Sequence, residues 1–221
     1  MFTKFLNLKP EKQERILNAA IREFAQKGFK NASTDEIVKE ANISKGALFY
    51  YFNSKKDLFL FLYDHFIEIF IKEFFGKIDL NEKNILKRWR QIALVKIELI
   101  NKYPEVFDFM LVANMEDSEE IKRDLECRNK EVLTSSYEKL FKDIDTSKFK
   151  EDIDIKRAID IIIWTMEGFS DREQEKIKSL SLDQIYYDNV LQEMNVYIKL
   201  LKTSFYKENT LSFDPFCLVK N

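Results

Sequence analysis

The sequence predicts an all-α protein in two parts, a small N-terminal three-helix head and a larger helical body. Three observations carry that reading. Glycine and proline are scarce, 4 and 3 in 221 residues, too few for the turn chemistry of a many-stranded sheet. Apolar residues recur at helical spacing rather than alternating, as in Ile16, Leu17, Ala20, Ile21 and Phe24. Capping serines stand where such stretches begin, at Ser33, Ser44 and Ser54.

Taken in order, residues 1–9 are expected to be a loose arm. Pro10 suits the first turn of a helix, with Glu11 and Glu14 near its positive end. That helix is expected to stop at Gly28 and to leave Arg15, Arg22 and Lys27 outside. Ser33 caps the next helix, and Glu36, three residues on, is placed to complete a capping box. Ile37, Val38 and Ala41 form its apolar face, and Asn42 tolerates the left-handed turn that ends it. Ile43 plugs the corner, and Ser44 caps a second short helix over residues 45–51 with Leu48 as its aliphatic anchor. Ser54 and Asp57 open the following helix. Residues 33–58 therefore read as a helix-turn-helix, with Phe24, Ile37, Ile43, Leu48 and Phe52 as the core of the head.

The outer face of the second short helix is small, basic and aromatic. A helix that reads DNA must bring its N-terminal half into the major groove. Lys45 suits guanine O6 and N7 or a phosphate, and Ala47 suits a thymine methyl. Gly46 lets the backbone approach closely. Tyr50 and Tyr51 offer hydroxyls to phosphates, Lys55 adds charge, and Thr34 with its neighbouring amides offers a helix start to an anion. Ser44 belongs to the same cluster as the cap, and Phe49 as a ring for sugar or a thymine methyl. The alternative is an ordinary helical corner with aromatics in the core and lysines in solvent.

The run from Ile16 to Phe29, then Ser33-Thr34 with Ile37, residues 44–52 and Lys55-Lys56-Asp57-Leu58 together resemble the TetR family of bacterial transcription regulators. The resemblance covers residues 12–60. It implies the same contact residues, and it implies a repressor that occupies a pseudo-palindromic double-stranded operator as a homodimer until a small effector releases it. The family commonly has tyrosine where Phe49 stands, so one phosphate contact of that family is missing here.

Beyond residue 58 only the pattern speaks. Helices are expected over residues 58–77, 85–102, 104–111, 119–144, 153–177 and 182–206. Asp79, Asn81 and Asn84 mark one break, residues 115–118 a linker, and Ser179 with Ser181 another separation. The expected division is a DNA-binding domain at 1–56, a body for effector binding and dimerisation at 57–206, and an irregular tail at 207–221. In the family such a body encloses a pocket for a small, often hydrophobic effector. Bulky or polar groups on otherwise apolar faces make His65, Trp89, Phe107, Met110, Tyr137, Trp164 and Glu167 its candidate lining, although aromatic residues at helical spacing usually serve as core. The family pairs its last two long helices with a symmetry mate; the wide apolar stripe Ile185, Tyr186, Val190, Met194, Tyr197, Ile198 and Leu201 fits that use. The resemblance also implies that effector binding swings the connecting helix at residues 58–77.

Charge supports the division. Residues 1–60 hold 11 Lys/Arg against 7 Asp/Glu, leaving 25 against 31 in the rest, a basic head on an acidic body. One histidine, two distant cysteines and no glycine-rich phosphate loop leave little for an active site, so no enzyme, catalytic residue, metal or cofactor is expected. Residues 58–75 are the most apolar stretch but carry Asp64, His65, Glu68, Lys72 and Glu73, unsuited to a membrane span. With no secretory signal in residues 1–8, a cytoplasmic location is expected. The competing reading is a helical interaction protein, or a regulator with no small-molecule ligand.

Overall fold

The computed structural model describes residues 2–177 and 184–207, and these form ten helices. They are α1 (Thr3–Leu6), α2 (Pro10–Asn31), α3 (Thr34–Glu40), α4 (Lys45–Tyr51), α5 (Lys55–Lys77), α6 (Ile85–Lys102), α7 (Pro104–Asn114), α8 (Lys122–Phe141), α9 (Ile155–Ile177) and α10 (Gln184–Phe205). An isolated antiparallel bridge joins Phe149 and Tyr206. The separation at Ser179 and Ser181, and the tail at residues 208–221, lie outside the described residues.

The chain divides into two compact units. The first holds the described residues up to Lys77 together with Glu98–Tyr137. Its centre is a set of edge-on aromatic rings from α2, α5 and α7: Phe24 to Phe59 at 4.9 Å between centroids, Phe29 to Phe59 at 5.4 Å and Phe59 to Phe109 at 5.2 Å. Each is buried, and burying a ring of that size stabilises the fold by about 1.5–3 kcal/mol. Tyr63, fully buried on α5, places its hydroxyl between the Oδ1 atoms of Asn114 and Asn129, while Asn129 Nδ2 donates to Asn114 Oδ1 at 3.0 Å. Burial and the nearby Asp64 charge push that phenol above its usual range.

One expectation is corrected here. The arm is not loose: residues 3–6 make the turn α1, and Phe5 is fully buried against Phe52 and Phe61 at 4.9 and 5.3 Å. The aromatic pair Phe2 and Phe5 supplies the burial that a polar terminus would lack. The regular helix does stop at Gly28, which adopts φ 69° and ψ 176°; a short helical turn follows it within the range of α2 and carries Phe29 into the core.

The second unit holds Ile78–Ile97 and the described residues from Glu138 on. There α9 packs against α10, with the Phe169 and Tyr197 rings at 5.6 Å, and Ile162, Met166, Met194 and Ile198 on the two helices are buried. Tyr186 donates to Glu173 Oε2 at 3.3 Å across the same pair. The buried Arg88 guanidinium donates to the carbonyls of Leu80, Glu82 and Leu140, which fixes the turn before α6 against the end of α8.

Candidate nucleic-acid interface

The turn between α3 and α4 is built by local signals. Ser33 Oγ accepts from Glu36 N at 3.5 Å, Ser44 Oγ from Ala47 N at 3.1 Å, and Asn42 sits at φ 51° between them. Ile43 closes the corner against the core, and Leu48 and Phe52 are buried behind α4. The reciprocal half of the expected capping box does not form. Glu36 pairs with Lys39 instead, and the Ser33 N–H goes to Glu23 Oε1 on α2 at 2.8 Å. A buried carboxylate already neutralised by Lys27 at 2.9 Å outcompetes an exposed one for that amide. Burial works to raise the Glu23 carboxyl, but the Lys27 and Ser33 hydrogen bonds and the Lys27 charge outweigh it and hold it below its usual range.

On α4 the exposed residues are Lys45, Gly46, Phe49 and Tyr50, a spacing that defines one helix face. Ser44, also exposed, begins it, and Ala47 flanks it half-buried. A Cβ built on Gly46 meets nothing within 4 Å, so no contact inside the described molecule requires glycine there. Lys45 Nζ pairs with Asp35 Oδ1 at 2.8 Å, with both side chains largely in solvent. Tyr50 is 59% exposed, and the Lys4 ammonium lies 3.9 Å from its ring centroid.

The remaining predicted DNA contacts are placed differently. Tyr51 is half-buried, and its hydroxyl accepts from Lys12 Nζ at 3.2 Å. Lys55 donates to the carbonyls of Lys30 and Ala32 at 3.3 and 3.1 Å and lies over the Phe29 ring, where it closes the end of α2. Thr34 begins α3 and is half-buried. Sequence reasoning missed Lys4, Asp35 and Glu23. The spacing of Phe2 and Phe5 was the available sign that residues 2–8 are ordered against α4.

In the first unit, α5 and α8 border an open groove of about 430 Å³. Ile67, Ile71 and Val132 give it an apolar floor, and Asp64, Glu68, Lys72, Arg128 and Glu131 a charged rim, with Arg128 on Asp64 at 2.7 Å. None of the predicted pocket residues lines it. His65 stacks on Phe61 at 5.7 Å, and burial lowers its pKa against the opposing Glu68 charge. Met110 packs on the core, and Phe107 and Tyr137 are half-buried. In the second unit Trp89 is buried beside Phe141, Trp164 is 66% exposed and Glu167 is half-buried. Among the described residues no cluster of His, Cys, Asp and Glu has the makings of a metal site, and no helix is long and apolar enough to cross a membrane.

Residues 16–66 match the family described as bacterial regulatory proteins, tetR family. Among curated proteins, the uncharacterized HTH-type transcriptional regulator YuxN of Bacillus subtilis is 43% identical over 58 residues, covering 26% of this chain and 20% of its own length. The match thus spans about a fifth of that relative. Among solved structures, a TetR family transcriptional regulator from Chloroflexus aurantiacus aligns with a TM-score of 0.57 at 17% identity, covering 93% of this chain and 98% of its own. The regulator FadR of Bacillus subtilis, solved in complex with stearoyl-CoA, aligns with a TM-score of 0.54 at 17% identity, covering 85% and 96%. At these identities the likeness is one of fold, and it extends over both units.

Proposed function

We propose that this chain, which belongs to the tetR family of bacterial regulatory proteins, represses transcription by occupying an inverted-repeat operator as a homodimer, and that a small hydrophobic effector releases it. The observation that carries DNA reading is the exposed face of α4, which lies inside the segment 16–66 that matches the family. Gly46 leaves the backbone open on that face, since a Cβ there would meet nothing within 4 Å. Lys45, Phe49 and Tyr50 share that face, and a duplex supplies phosphates and base edges to match.

Dimerisation through α9 and α10 is supported by apolar side chains that the second unit leaves in solvent. Ile161 and Trp164 on α9 are 42% and 66% exposed, and Val196 and Leu200 on α10 are 53% and 60% exposed. Each pair lies one turn apart on its helix, and a two-fold axis would bury both. We infer DNA binding in residues 1–56 and effector binding with dimerisation in residues 57–206. A solved structure of this fold holding stearoyl-CoA supports an amphiphilic or hydrophobic effector here.

Selection of bound sequences from random duplex DNA tests the reading. An enriched inverted repeat, with half-sites about 34–36 Å apart or a multiple of that and affinity falling steeply with salt, is expected. The absence of any enrichment at low salt would overturn it and favour a helical interaction protein.

A further inference from the structure

We propose that residues 2–8 form a second DNA-contact element, with Lys4 binding a backbone phosphate at the edge of the groove that α4 enters. The inference rests on the DNA-reading function above and lies outside the segment, residues 16–66, that matches the family.

Position is the first argument. The exposed face of α4 runs from Lys45 to Tyr50, about 7.5 Å along a helix axis at about 1.5 Å per residue. The major groove is about 12 Å wide between its phosphate walls. Lys4 Nζ lies 3.9 Å from the ring centroid of Tyr50, the last exposed residue of that face, and so adds a cation at the C-terminal end of the face.

Availability is the second. Lys45 is paired with Asp35 at 2.8 Å, Lys56 with Asp124 at 2.8 Å, and Lys55 is occupied by two carbonyls. Lys4 has no carboxylate partner among the described residues and is exposed. Residues 2–8 contain no acid to oppose an anion.

Preorganisation is the third. The segment is pinned from below by Phe2 and Phe5, whose rings lie 5.5 and 4.9 Å from Phe52. Gln13 Nε2 donates to the carbonyls of Leu6 and Leu8 at 3.0 and 2.8 Å. A phosphate would therefore meet a lysine whose backbone is already ordered.

The test measures the Kd of the full chain for a selected operator duplex and for a scrambled duplex across a salt series, for wild type, Lys4→Ala and Lys4→Arg, with Tm recorded for each. Lys4→Ala is expected to weaken binding to both duplexes by the same factor. It should also reduce the slope of log K against log salt by about 0.9 per protomer, with Tm unchanged and Lys4→Arg restoring the slope. A Lys4→Ala slope equal to wild type, or an equal loss in Lys4→Arg, would overturn the proposal while leaving DNA reading intact. Wild type without salt-dependent binding to either duplex would overturn the functional reading as well.

Discussion

Phe29 donates its backbone N–H to Glu116 Oε2 at 2.7 Å, across 87 positions of sequence. The kink at Gly28 is thereby closed by a carboxylate from just beyond α7, whose Oε1 also accepts from Ser118 N at 3.0 Å. A Cβ on Gly28 would lie 3.3 Å from Glu116 Oε2 at a φ of +69°. Gly28→Ala therefore combines left-handed strain with a crowded carboxylate and is expected to lower stability by about 1–3 kcal/mol. Glu116→Ala, which orphans the amide, should cost about 1–2 kcal/mol, and Glu116→Gln less because an acceptor remains. Urea unfolding reports all three, and a Gly28→Ala midpoint equal to wild type would refute the role given to the kink.

Glu23 gives the head an acid-side weakness. Its folded-state pKa is below the ordinary 4.5, so its contribution is present above that value and is lost as pH falls below it. Glu23→Gln keeps an acceptor for the Ser33 amide but gives up the Lys27 pairing. It is expected to be less stable at neutral pH and to lose less stability between pH 5 and pH 3 than wild type does. Parallel loss curves by circular dichroism would remove Glu23 from the account.

The turn of the head was legible because its signals are local. Each serine cap acts on an amide three residues away, and Asn42 needs no partner at all. The groups that modify that turn were not legible, because their partners are distant in sequence. Glu23 takes the Ser33 amide from ten residues away, and Lys4 meets Tyr50 although α2 and α3 separate them in the chain. In the body, helical spacing found the helices but not their faces. A helix with apolar residues on several sides gives no sign of which side turns inward, so Trp89 and Trp164 looked alike, yet one is buried and the other two-thirds exposed.

Trp164 makes that difference testable. Trp164→Asp places a charge on a surface that the second unit leaves open, so the protomer should keep its helix content and lose Tm only modestly. A dimer seated on that face would dissociate, and sedimentation at micromolar concentration should change from dimer to monomer. A variant that remained dimeric would move the interface elsewhere.

Gly46→Ala separates folding from DNA binding by sign. With nothing within 4 Å of the new methyl, the fold should gain up to about 1 kcal/mol. The same methyl would stand between the α4 backbone and a duplex, so operator affinity should fall. A loss of both stability and affinity would mean that Gly46 serves the fold, and an affinity equal to or above wild type would remove it from the contact.

In the proposed DNA-binding role, the pairing with Asp35 governs how available Lys45 is to a duplex. The pair is held at 2.8 Å with side chains 52% and 68% exposed, an arrangement worth under about 1 kcal/mol to the fold. Asp35→Asn should therefore cost little stability, chiefly the loss of a negative charge in the first turn of α3, about 0.3–1 kcal/mol. It frees the ammonium and removes an anion facing the phosphates, so operator affinity should rise several-fold at low salt, with the gain shrinking as salt rises. Lys45→Ala should lose about 1–3 kcal/mol at the operator if the lysine reads guanine, with relaxed preference at one base pair. A uniform loss on all duplexes would assign it to phosphate. In the Lys45→Ala background the Asp35→Asn gain should fall to the small residue of long-range repulsion, and an undiminished gain there would show that Asp35 acts on the duplex directly rather than through Lys45.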